Sequence, residues 1–229
     1  MSKLSKDWMI PPQIAEIYLR KRDDIADMKI KVDEVIFHIP KLEKDNLYVL
    51  WDCLWPDCNN CCTVDRLPIT KDDIDRLTTT LGYNSKMEFI ENETTISSWT
   101  HGEPFDPSNT TRTQICLSKG NTKKDEEKVL RCRFADSTGC TIHAKKPGVC
   151  KMYPFMSYIN YEAEKLRIHA IFQFTGDCPG FYLSPSIEDL LPRLRQYAKK
   201  IYSYNMEYLR TVRENYAARA TVSVSEDLR

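Results

Sequence analysis

CLWPDCNNCC, residues 53–62, has the spacing Cys53-x4-Cys58-x2-Cys61-Cys62, and Cys132, Cys140, Cys150 and Cys178 follow it downstream. Thiolates are soft ligands, and a dense set of them in a reducing compartment holds zinc or an iron–sulfur cluster. The doublet is the informative part. Neighbouring side chains diverge by about 100° in a helix and point to opposite faces in a strand, so Cys61 and Cys62 cannot share one ion without strain. The doublet therefore predicts two metal centres, or one polynuclear cluster approached from both sides of a single segment.

The bulk composition is that of a soluble globular chain long enough to bury a core. It has 229 residues, 41% of them hydrophobic and 29% charged. Only 7 glycines are present, and no phosphate-cradling GxGxxG or GxxxxGK[ST] pattern occurs. Lys plus Arg and Asp plus Glu both total 33, so the net charge is zero. That balance gives no electrostatic footprint for nucleic acid or for an anionic membrane. The N-terminal MSKLSKDWMIPPQ lacks the apolar core of a secretory signal, and no run approaches the about 20 apolar residues of a membrane span. The expectation is a cytoplasmic protein, where structural disulfides are rare, and nine cysteines is in any case an odd number.

Patterning outward from the cysteines predicts an α+β fold that is mainly helical, with an irregular metal-organised core, a small β-hairpin and a long C-terminal helix. Three regions are expected: an N-terminal helical extension over 1–50, a cysteine-cluster metal-binding domain over 51–183, and a C-terminal helix over 184–229 packed on it. Residues 11–50 read as mainly helical, with Pro11 and Pro12 at a helix start and Ile14, Ile17 and Tyr18 on one face. Within and just beyond them, 35–51 mixes short apolar runs with Pro40 and is assigned no element. Pro56, Asp57, Asn59 and Asn60 make 53–62 an irregular loop. Thr70 caps a helix that buries Ile74, Leu77 and Leu81 and ends at Gly82, and a second short helix begins at Ser85. Residues 91–128 read as a polar surface insertion, and Val129–Ala135 as a strand. A helical turn near Pro147 presents Cys150. Residues 166–172 alternate as a strand that pairs with 154–160. The C-terminal helix starts near Ser184 and Pro185, carries Leu190, Leu191, Leu194, Ile201, Leu209 and Val212 as its apolar stripe, is kinked by Pro192, and frays over its last ten residues.

The doublet segment, together with Cys132-Arg-Phe, Gly139-Cys140-Thr-Ile-His143, Lys146-Pro147-Gly-Val-Cys150-Lys-Met-Tyr153-Pro154-Phe155 and Cys178-Pro179-Gly180, resembles the YkgJ-like, or CxxCxxCC, cysteine-cluster family of zinc- or iron-chelating domains. The resemblance covers about residues 53–181. It implies that Cys53, Cys58, Cys61, Cys62, Cys132, Cys140, Cys150 and Cys178 are the metal-binding set, within a helical domain threaded by a metal core. The Cys53-x4-Cys58 spacing is longer than the family name specifies.

Eight thiolates divide into two four-cysteine sites, each sufficient for tetrahedral zinc or a [4Fe–4S] cube. The negative charge needs compensation, for which Arg66, Arg131, Arg133, Lys145, Lys146 and Lys151 lie close in sequence. Cys116 matches no motif and reads as a plain thiol. His143 follows Cys140 by three residues and reads as support for the ligands rather than a ligand; His38, His101 and His169 are isolated in sequence. Tyr153-Pro154-Phe155 is expected beside the metal core, and Tyr197, Tyr202, Tyr204 and Tyr208 in a core or interface. Residues 53–62 lack the glycine of zinc knuckles, and Cys178-Pro179 resembles the Cys-Pro that closes bacterial ferredoxin motifs. The favoured reading is thus an iron–sulfur protein with a redox or electron-transfer role. The alternative is a zinc-stabilised interaction module without catalysis. A cluster-dependent methyltransferase resembling flagellin lysine methylases ranks below both, because the chain has no recognisable S-adenosylmethionine loop. No catalytic residue is nominated, and a protein partner is left open.

Overall fold

The computed structural model describes residues 12–18, 21–55, 57, 58, 60–63, 66–100, 111–120, 131–136, 139–162, 165–173 and 178–226. Its content is 36% helix and 36% strand, which corrects the expectation of a mainly helical chain. The N-terminal region accounts for much of the difference. Among its described residues only α1 (Pro12–Tyr18) is helical, and three strands follow: β1 (Ile25–Val32), β2 (Val35–Leu42) and β3 (Leu47–Trp51). The physical reason is a period of two. Met28, Ile30 and Val32 alternate with Asp27, Lys29 and Lys31, and Val35, Phe37 and Ile39 alternate with Ile36, His38 and Pro40. One face of each strand is therefore apolar, and Val35, Phe37 and Ile39 are fully buried.

The middle of the chain carries the cysteine loops between short elements. A 3-10 turn at Asn60–Thr63 precedes α2 (Lys71–Leu81) and α3 (Lys86–Glu93). The helix expected after Thr70 is present with a reciprocal cap. The Asp73 N–H donates to the Thr70 hydroxyl at 3.2 Å, the Thr70 N–H donates to the Asp73 carboxylate at 3.3 Å, and Gly82 closes the helix at φ 74°. Thr70→Ala should lower stability by about 1 kcal/mol, read as a smaller urea midpoint at unchanged slope. The segment expected to be a polar insertion instead contains an antiparallel ribbon, β4 (Thr94–Thr100) and β5 (Thr111–Leu117). Thr94, Thr95 and Ile96 face Leu117, Cys116 and Ile115, and the β-branched pair Ile96–Ile115 suits a pleated surface. Residues 101–110 and 121–130 lie outside the described residues. Of the strand expected over 129–135, the described part contributes a single pairing residue to β6 (Ala135–Asp136), which joins β7 (Gly139–Cys140). Another 3-10 turn, His143–Lys145, leads to α4 (Gly148–Met152), the helical turn expected to present Cys150. Leu67, Ile69, Ile74, Leu77, Phe89, Leu117, Phe134 and Ile142 form a buried cluster within this region.

The remaining strands, β8 (Phe155–Glu162), β9 (Lys165–Phe172) and β10 (Phe181–Ser184), complete a six-stranded mixed sheet. The hairpin expected from alternation is β8–β9, in register from Phe155↔Phe172 to Glu162↔Lys165. β1 lines one edge of β2 along its whole length. The other edge is divided, with β9 parallel to Val35–His38 and β3 antiparallel at Lys41 and Leu42. Pro40 falls in the gap between them, where no ladder bond requires the N–H it lacks. α5 (Leu190–Glu226) lays Leu190, Leu194, Ala198 and Ile201 on the sheet, a stripe at helical spacing. Its start is later than expected, and Pro192 sits in the first turn, where its missing N–H breaks nothing, so the helix is not interrupted there. Helix extends to Glu226, through most of the stretch expected to fray. Among the described residues, no helix is long and apolar enough to cross a membrane.

Candidate metal centre

The sheet-and-helix core and the α2–α3 cluster meet where the cysteines lie. Cys62, Cys132, Cys140 and Cys150 pack on the α2–α3 side, Cys178 packs on the sheet side, and Val149 touches both. Cys61 and Cys62 occupy one 3-10 turn, in which adjacent side chains are about 120° apart. The Cys62 carbonyl accepts the Cys132 N–H at 2.8 Å, which binds the doublet to a loop seventy residues downstream. The Cys61 and Cys62 thiols share a hydrogen bond. That bond, then burial, then the nearby Cys61, Cys132 and Cys140 push the Cys62 thiol far up. Burial chiefly raises Cys132, with Cys140 and Cys61 adding to it. Burial also dominates at Cys140, with Cys61 again adding, and at Cys150, where Cys132, Cys61 and Cys140 all contribute. Cys178 is raised to about 11, first by burial, with Cys58 and Cys61 adding. Cys62, Cys132, Cys140, Cys150 and Cys178 thus all have Cys61 as an electrostatic neighbour, and Cys58 joins the group through Cys178.

The local backbone of three loops is built to accept thiolate charge. The Phe134 N–H donates to the Cys132 sulfur, the Ile142 N–H to Cys140, and the Gly180 N–H to Cys178, in each case from two residues ahead. The Tyr153 side chain adds a hydrogen bond to Cys178. An N–H aimed at sulfur favours the thiolate and opposes burial, the combination a metal–thiolate bond needs. The turn that aims Gly180 is held by a close approach. The Asp52 N–H donates to the Gly180 carbonyl at 2.9 Å, and a Cβ on Gly180 would lie 1.9 Å from the Asp52 carbonyl oxygen. Only glycine fits there, and the contact sets Cys178 against the strand end that leads into Cys53.

Two lysines carry positive charge to the thiols. Lys146 favours the thiolate at Cys140 and Cys150, and Lys119 does so at Cys132 while its amine reaches the Cys62 carbonyl at 3.5 Å. Lys146 was among the expected compensating charges. Lys119 was not, since only the pairing of residue 119 with Cys132 brings it there. Arg133, expected to serve this role, is engaged by Glu93 at 2.8 Å. His143 stacks flat on Trp55 at 4.1 Å and 2°, tying the 53–62 loop to the loop between Cys140 and Cys150. Its Nε2 meets the Lys146 amine at 3.1 Å, and burial followed by Lys146 lowers its proton affinity.

Cys53 is exposed and lies within electrostatic reach of Tyr197. Among the described residues, no three His, Cys, Asp or Glu side chains converge to metal-holding distance, so the thiols form a neighbourhood and not a finished cage. None of the nine cysteines forms a disulfide, and Cys116 is buried in β5, where it pairs with Pro68. Tyr197 accepts the Trp51 indole N–H at 3.0 Å and donates to the Tyr153 carbonyl at 2.9 Å, while Tyr202 is exposed. His38 and His169, isolated in sequence, form a pair in space. Their Nε2 and Nδ1 are 2.9 Å apart, and His38 Nδ1 meets Asp27 at 2.7 Å. The parallel contact of β2 with β9 makes that pair, and residues 131 apart leave no local signal of it. His101 lies outside the described residues.

Among curated proteins and among solved structures, nothing matches the chain. A family model does: CxxCxxCC, described as "putative zinc- or iron-chelating domain", over residues 52–179, more than half of the 229 residues. That span holds all eight motif cysteines, the N–H groups aimed at Cys132 and Cys140, and both thiolate-facing lysines. A thiol-only donor set with backbone support at the sulfurs fits a chelated zinc or iron ion, and the chain belongs to the CxxCxxCC family of metal-binding domains.

Proposed function

We propose that the protein holds iron–sulfur in two four-thiolate centres and serves a redox or electron-transfer role in the cytoplasm. Cys62, Cys132, Cys140 and Cys150 would hold one centre, and Cys53, Cys58, Cys61 and Cys178 the other. The observation that carries this reading is the gathering of Cys62, Cys132, Cys140, Cys150 and Cys178 around Cys61, more soft donors than one tetrahedral ion takes. Bound iron–sulfur would supply a one-electron couple whose potential follows charge, burial and hydrogen bonds to sulfur. The chain's own contribution is then specific. Phe134, Ile142 and Gly180 direct N–H groups at sulfur, Lys119 and Lys146 offset negative charge, and the flanking apolar clusters exclude water. Cys53 would turn inward to complete its set.

A second reading is supported by the position of the thiols at the seam of two apolar clusters. There a zinc ion would act as a staple, and its binding energy would substitute for core burial, as in an interaction module without catalysis. Anaerobic purification separates the two. Under the first reading the protein is brown and contains iron and acid-labile sulfide. A colourless protein with stoichiometric zinc and no sulfide would establish the second.

A further inference from the structure

Three arginines make the same kind of contact around the thiols. Each guanidinium joins a carboxylate and a main-chain carbonyl, and each fastens a different cysteine loop to a different helix. Arg76 on α2 pairs with Asp73 and donates to the carbonyls of Lys145 at 3.3 Å and Lys146 at 3.2 Å. Asp73 in turn accepts the Gly148 N–H at 3.0 Å, so this pair grips the loop between Cys140 and Cys150 at two points. Arg133, next to Cys132, pairs with Glu93 at 2.8 Å and donates to the Asn92 carbonyl at 2.9 Å, which fixes the Cys132 loop to α3. Arg193 on α5 pairs with Asp52 at 2.6 Å and donates to the Trp51 carbonyl, which fixes the entry to Cys53.

We infer that Arg76, Arg133 and Arg193 are positioning residues that hold the thiol-bearing loops at the separation a metal requires. The inference rests on the metal reading above. Charge alone would not account for the pattern, because each guanidinium is spent on a carboxylate and it is Lys119 and Lys146 that act on the thiols. The planar fork can bond a carboxylate and a carbonyl together in one fixed geometry, which a lysine ammonium cannot reproduce. Two of the carboxylates, Asp73 and Glu93, are buried, which holds their arginines in place. Loops held in advance have less freedom to lose when metal binds, and supporting groups of this kind typically change metal affinity about 10–100-fold.

The test uses the full chain, reduced and metal-free, titrated with Co(II) against a chromophoric chelator. The readouts are the dissociation constant and the thiolate-to-cobalt absorption. Arg76→Lys and Arg133→Lys, which keep the charge and lose the fork, should each weaken cobalt binding about 10–100-fold and alter the absorption bands. A merely structural role would lower the stability of metal-free and loaded protein equally and leave the dissociation constant unchanged. That outcome, or full rescue by lysine, overturns the inference. Arg193→Lys breaks only a partly exposed pair and provides the same reading if either of the others fails to fold. A wild-type chain that takes up no cobalt overturns instead the metal reading on which the inference stands.

Discussion

Cys61→Ser should lower metal content at both centres, whereas Cys62→Ser should empty only one. The asymmetry follows from the turn. The two side chains leave a 3-10 helix about 120° apart, and Cys62 meets Cys132 and Cys140 while Cys61 is also a neighbour of Cys150 and Cys178. Removing Cys62 takes a ligand from the set shared with Cys132, Cys140 and Cys150. Removing Cys61 takes a ligand from the Cys178 set and also the one thiol that Cys62, Cys132, Cys140, Cys150 and Cys178 have as a common neighbour, from the junction of the two sets. A structural zinc site contributes about 10–16 kcal/mol, comparable to or above the roughly 5–15 kcal/mol net stability of a domain. An emptied centre should therefore also uncouple the α2–α3 cluster from the sheet, giving two unfolding steps where the loaded protein shows one. Metal per chain by elemental analysis, alongside calorimetry, checks both points. Equal losses for the two substitutions would dissolve the proposed division, and full retention by either would remove that cysteine from the ligands.

Gly180→Ala should be among the most damaging single-methyl changes in the chain. The new Cβ would meet main-chain atoms of Asp52, at 1.9 Å from its oxygen and 3.1 Å from its carbonyl carbon, so no side-chain rotation relieves it. The strand end at Trp51 and the Cys178 turn must then part. This strains the Asp52 N–H bond to the Gly180 carbonyl and moves the N–H that serves Cys178. Overpacking alone costs about 1–3 kcal/mol, and the displaced thiolate support should lower metal occupancy as well. Gly82→Ala is the control. It has open space, so its cost is the strain of φ 74°, about 1 kcal/mol, and its metal content should stay at the wild-type level. If Gly180→Ala binds metal as tightly as wild type, the Asp52 contact is not what sets Cys178.

Local signals in the sequence were accurate where the physics is local. Thr70, Asp73 and Gly82 mark the ends of α2 because a cap is satisfied within four residues. The alternation of Leu166, Ile168, Ala170 and Phe172 marks β9 because its partner β8 is adjacent in sequence. The same alternation runs through Met28–Val32 and Val35–Ile39, and the backbone there follows the period of two rather than the helical spacing of Ile14 and Ile17. Pro40 is tolerated inside β2 because one edge of that strand is divided between two partners at that point. That division joins residues more than a hundred positions apart, so no window of sequence contains it.

The amino-acid sequence by itself determined the chemistry. Eight soft donors, their motif spacing and a doublet that cannot serve one ion cheaply are properties of the chain, and they place it among metal-binding CxxCxxCC domains before any fold is known. Tertiary structure decided the arrangement. It brought Cys132 to the Cys62 carbonyl, put Lys119 rather than Arg133 at the thiols, joined His38 to His169, and pressed Gly180 onto Asp52. The physical reason is one of range. Ligand identity resides in side chains and caps in neighbouring backbone, but which thiols meet depends on sheet register and on two apolar clusters closing against each other. Those are long-range contacts whose loop entropy is offset only when the whole chain folds.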